Sequence, residues 1–124
     1  GQASAAGDGK EGKLYCNQGL IPHVKRNPNN RRIFDEHDVK WIKDLVCLKK
    51  CGMSIQEMKA YLDLCLQGPS TIPARKEMLT KKQDALRRSI QELEESVAYI
   101  DWKQNFYDEV LSGKRPYVSN LIRT

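Results

Sequence analysis

Apolar positions along the chain change their period twice, and each change marks an element. Two short apolar-bearing arms, Leu20-Ile21 to Val24 and Ile33-Phe34, flank the turn signal Pro28-Asn29-Asn30 and predict a hairpin. From Val39 the spacing becomes helical. Val39, Ile42, Leu45, Val46 and Cys47 form an apolar set behind an Asp35 N-cap with Asp38 at N3, and Lys49, Lys50 and Gly52 supply a basic last turn and a glycine stop. Ser54-Ile55-Gln56-Glu57 is a capping box, so a second helix follows with Ile55, Met58, Leu62 and Cys65 inward, running to about Gln67 and ending at Gly68. The short Cys51-Gly52-Met53 link makes the two helices a pair packed at an angle.

Beyond the loop Gly68–Pro73, residues 74–112 contain neither Gly nor Pro and predict one long helix. Its apolar register steps Leu79, Leu86, Leu93, Ile100, Tyr107 in sevens, interleaved with Ile90, Val97 and Leu111. Gln83 and Gln104 are register-setting polar insertions. This is a coiled-coil seam on a helix spanning on the order of 58 Å. The two preceding helices are too short to cover it, so a second copy of the chain is expected to bury the remainder. Gly113 ends the helix, and the tail 114–124 is too short to fold alone.

Composition sharpens this picture. The 124 residues suffice for one domain, or a small domain with an appended element; charged residues reach 30% and aromatics 7%, a thin core that favours a helical or oligomeric solution. The net charge of +5 is unevenly placed. Among residues 1–34, Lys10, Lys13, Lys25, Arg26, Arg31 and Arg32 face only Asp8 and Glu11, which implies a polyanionic partner, nucleic acid ahead of membrane. Lys25, Arg26, Arg31 and Arg32 cluster on the hairpin tip, where guanidinium and ammonium groups suit phosphate oxygens; the plainer reading is a solvated basic turn. Gly1–Gly9 are small and turn-prone, the composition of a poorly ordered end, and Gly7, Gly9 and Gly12 would each weaken a helix by about 1 kcal/mol relative to Ala.

Candidate chemistry is sparse. No apolar run approaches the ~18 residues of a membrane span, so a cytoplasmic protein with no membrane partner is expected. Cys16, Cys47, Cys51 and Cys65 form no Cys-x-x-Cys pair and are expected to be reduced thiols. His23 and His37 lack a ligand-type partner at helical spacing, and no catalytic triad, carboxylate pair or phosphate-cradling loop is present. No enzyme activity, metal or cofactor is expected.

In this order the parts resemble the MerR family of bacterial transcription regulators: Gly19-Leu-Ile-Pro22 ending a helix, a basic wing closing on Arg31-Arg32-x-Phe34 with Asp38 beyond, a helix pair joined at Gly52-Met-Ser-Ile55, and a long dimerisation helix. The match covers roughly residues 12–112. It implies a mainly α fold: a winged helix-turn-helix with a short β-hairpin wing and a helix pair over 1–72, an antiparallel coiled-coil dimerisation helix over 73–113, and a C-terminal tail over 114–124. It further implies double-stranded promoter DNA and a second copy as partners, with RNA polymerase reached indirectly at the promoter. Lys13, Tyr15, Lys25, Arg26, Arg31 and Arg32 are the implied DNA contacts. Leu79, Leu86, Ile90, Leu93, Val97, Ile100 and Tyr107 form the expected dimer interface.

Two features depart from a plain family member. Where the family usually reads approximately Thr-Leu-Arg-Tyr-Tyr-Glu, this chain has Glu11-Gly-Lys-Leu-Tyr-Cys-Asn-Gln18, so residues 1–18 are expected to be atypical or partly disordered. Residues 101–124 carry no Cys or His, against a thiolate metal site there. Trp41–Lys50 and Gly68–Leu79 are similar to the branch that responds to aldehydes and other electrophiles through one cysteine, which points to Cys47 as a sensor thiol beside Lys43, Lys49 and Lys50. The alternative is that Cys47 is a small buried core residue. The competing function is a coiled-coil dimer or ligand-binding module without sequence-specific DNA binding, which disorder before Gly19 would favour.

Overall fold

The computed structural model describes residues 9–122. The expectations for residues 1–8, including Gly7, lie outside them. Helix α1 (Gly9–Asn17) precedes the strands β1 (Lys25–Arg26) and β2 (Arg32–Ile33), then helices α2 (Glu36–Lys50) and α3 (Ile55–Leu66), a 3₁₀ turn at Pro69–Thr71, and α4 (Ile72–Leu111). The chain divides into two compact units, the first ending at Asp84 and the second beginning at Ala85.

In the first unit the core gathers Leu20 from the loop after α1, Ile42 and Leu45 from α2 and Met58 from α3, all fully buried. The helix pair starts as its sequence requires. Asp35 accepts the Asp38 N–H while Asp38 accepts the Asp35 N–H, and Ser54 and Glu57 exchange the same two bonds. Helix α2 stops in a Schellman motif: Gly52 adopts φ 90°, its N–H donates to the Lys49 carbonyl, and the Met53 N–H donates to the Leu48 carbonyl.

Helix α1 forms despite its glycines. The reason is close approach: a Cβ at Gly12 would lie 2.7 Å from Phe34 Cε2 and 3.3 Å from Ile42 Cδ1. Glycine lets α1 approach Phe34, the residue after β2, and Ile42 of α2 this closely, and that burial offsets the helix penalty. The long helix begins two residues before the expected start because Pro73 tolerates the first turn, where its missing N–H would be unpaired anyway. Cys47 also departs from the apolar set, for it is exposed while Val46 packs partly against the core. The core reading of this thiol is therefore corrected.

The α3–α4 corner is tied by side chains. The Thr71 hydroxyl lies within hydrogen-bonding distance of the Leu64 and Gly68 carbonyls, Arg75 Nε donates to Thr71 Oγ1, and Arg75 also donates to the Gly68 carbonyl. Lys82 on α4 pairs with Glu57 at 3.0 Å and donates to the Gly52 carbonyl.

Candidate nucleic-acid interface

The hairpin is built by one asparagine. Asn27 Oδ1 accepts from the N–H groups of Asn29 and Arg31, while its backbone pairs with Arg31 and Asn30 at 2.9 and 2.8 Å. Asn30 closes the turn in the left-handed region at φ 61°, which an asparagine side chain tolerates. The register places Lys25 opposite Ile33 and Arg26 opposite Arg32. Two like charges opposite one another on one face destabilise a ribbon unless something negative approaches.

The two arginines solve this differently. Arg26 turns to the Asn30 carbonyl at 2.9 Å and stays exposed. Arg32 reaches out of the hairpin to α1, donating to Asn17 Oδ1 and to the Lys13 carbonyl. Its guanidinium is thus a strut between β2 and the last turn of α1. Lys25, Arg26 and Arg31 remain exposed, and so does Lys13 on the helix the strut grips.

Along α1, Lys10, Lys13, Leu14 and Asn17 recur at helical spacing and, with Glu11, line one shallow open groove. Leu14 is 44% exposed on this face. Tyr15 points the other way. It is only 2% exposed and belongs to the core cluster; burial pushes its phenol up, and Glu11 adds to that. The expectation that Tyr15 contacts DNA is corrected: packing against the core takes the side chain from the surface. A second open groove lies between the first wing arm and the start of α2, lined by Pro22, His23, Lys25, Asp35, His37, Asp38 and Trp41. Among the described residues no group of three His, Cys, Asp or Glu side chains is placed to hold a metal ion.

Sequence reasoning missed the parts that hold this surface rigid. Trp41 Nε1 donates to the Leu20 carbonyl at 2.8 Å and its ring stacks on Tyr61 at 6.3 Å, which anchors the Gly19–Pro22 loop on α2 and α3. Helix α4 has no buried residue. All seven expected interface residues, Leu79, Leu86, Ile90, Leu93, Val97, Ile100 and Tyr107, are exposed, Leu93 reaching 66%. In the second unit Tyr99, Trp102 and Phe106 form a separate ring stack, with Lys103 Nζ 5.7 Å from the Trp102 centroid.

A sequence profile described as "MerR, DNA binding" matches residues 39–102, half of the chain. The chain belongs to the MerR family. Among MerR relatives, the HTH-type transcriptional regulator AdhR of Bacillus subtilis (strain 168) is 38% identical over 74 residues, covering 60% of this chain and 53% of AdhR, so the chain spans about half that relative's length. In structure the chain is similar to HiNmlR, a MerR family regulator lacking the sensor domain and crystallised bound to promoter DNA, with TM-score 0.67 and 26% identity over 90% of this chain and 93% of that one. A MerR family transcriptional regulator from Bacillus thuringiensis gives TM-score 0.62 and 34% identity, covering 77% of this chain and 83% of that one. These relatives are regulators of transcription, and no helix among the described residues is long and apolar enough to cross a membrane.

Proposed function

We propose that this MerR-family chain is a transcription regulator that grips double-stranded promoter DNA as a homodimer, each copy applying α1 and the wing as one surface. The observation that carries this is the Arg32 strut, which joins the basic hairpin to α1 beside the exposed cations Lys13, Lys25, Arg26 and Arg31. The wing positions the protein, and the exposed α1 face supplies groove contacts. Likeness to HiNmlR bound to promoter DNA supports the assignment. Helix α1 over Gly9–Asn17 supports this reading over the competing module without sequence-specific DNA binding.

Dimerisation places the heptad residues of α4 against an antiparallel copy, so that 73–113 acts as the dimerisation element and 1–72 as the DNA-binding element. RNA polymerase is reached indirectly, through distortion of the promoter in the bacterial cytoplasm, with the deformation offset by phosphate contacts from two wings. The exposed Cys47 thiol is the electrophile-responsive residue in this reading. Selection of bound duplexes from a random-sequence pool tests the function: two inverted half-sites at a fixed spacing are expected, and a pool that stays random after selection contradicts it.

A further inference from the structure

A second thiol stands one helical turn beyond Cys47. Cys51 caps α2, its N–H donating to the Cys47 carbonyl at 3.1 Å, so the turn between them is intact. Both are free thiols; Cys47 is exposed and Cys51 half-buried. Four residues apart on a helix, their Cβ atoms stand about 5–6 Å from each other. A disulfide needs Cβ atoms about 3.5–4.5 Å apart, so the intact turn holds the pair too wide to oxidise to one another. Inserting one atom between the sulfurs lengthens that path by a bond and fits the spacing. Paired thiols select a soft, thiophilic centre over hard cations.

We infer that Cys47 and Cys51 form a dithiol site for a trivalent arsenical, a single arsenic atom bridging both sulfurs across the last turn of α2. Written for an arylarsonous acid, two As–O bonds break and two As–S bonds form. Each thiol proton leaves with a hydroxyl as water, and the oxidation state of arsenic is unchanged. The bridge staples the residue before Gly52, whose carbonyl holds Lys82 of α4, and so stiffens the corner joining α2, α3 and the start of α4. This goes beyond the single-thiol electrophile reading, because it discriminates a bifunctional reagent from a monofunctional one.

The test titrates the reduced full chain with phenylarsine oxide in the absence of DNA, alkylates the remaining thiols with iodoacetamide and maps them by mass spectrometry. Protection of both Cys47 and Cys51, with Cys16 and Cys65 alkylated and protection reversed by 2,3-dimercaptopropanol, is expected. Closing the second As–S bond is an intramolecular step, so Cys47→Ser and Cys51→Ser should each weaken binding about 10²-fold, with Cys51→Ala as a second variant and Cys16→Ser unchanged. Native affinity in Cys51→Ser, protection of Cys16 or Cys65 instead, or a Cys47–Cys51 disulfide formed under mild oxidant would overturn the proposal. Because DNA is absent, none of these outcomes bears on the DNA-binding reading.

Discussion

Gly12 and Arg32 show how single residues decide whether α1 and the wing work as one surface. Gly12 is weak as a helix former, yet the Phe34 ring occupies the space a Cβ would take. Gly12→Val should therefore destabilise the protein by about 1–3 kcal/mol through overpacking, although the same change in an open helix would be favourable. Urea denaturation checks this, and an unchanged or raised midpoint would contradict the docking. At Arg32 the strut predicts that Asn17→Ala, which removes no charge, weakens DNA binding nonetheless, because the wing and α1 lose their shared register. An affinity equal to the native protein's would show the strut to be idle. The sequence exposed the charge of Arg32 and not its use, since the partner lies on another element 15 positions away.

At the scale of elements, the helix pair was legible because caps are local. Asp35, Asp38, Ser54, Glu57 and Gly52 sit within a few residues of the groups they satisfy; Asp38, expected only to add negative charge to the helix start, also closes a capping box by accepting the Asp35 N–H. The corner ties were not legible: Trp41 to Leu20, Arg75 to Gly68 and Lys82 to Glu57 join residues that no periodicity brings together. The caps also carry a pH signature. The Asp38 N–H holds the Asp35 carboxyl below its ordinary value, and the Ser54 N–H followed by Lys82 does the same for Glu57. With folded values below unfolded ones, both groups contribute stability above the ordinary carboxylate range of about 4, and that stability is lost as pH falls through the folded values. Urea midpoints should drop on acidification from about pH 6 toward 3, and less steeply in Asp35→Asn and Glu57→Gln. Equal slopes in native and variant chains would remove the caps as the cause.

Across the whole molecule, α4 leaves a heptad stripe in solvent while the core gathers elsewhere. Sequence periodicity found this stripe because every seventh position repeats the same chemistry; it overlooked Tyr99, Trp102 and Phe106, which share another face of the helix. With the stripe as a dimer seam, Leu93→Glu with Ile100→Glu should yield a monomer by sedimentation and a Tm independent of concentration, whereas the Tm of the native chain should rise with concentration. A native chain that is monomeric at all concentrations would remove the seam. In the proposed complex Lys13 of α1 and the wing cations face phosphate together, and the salt dependence of duplex-DNA affinity tests this most directly. The logarithm of the binding constant should fall linearly with the logarithm of salt, with the slope shrinking by about 1 for each cation removed in Lys13→Ala and Arg31→Ala. A flat salt response, or slopes identical in native and variant chains, would contradict the account.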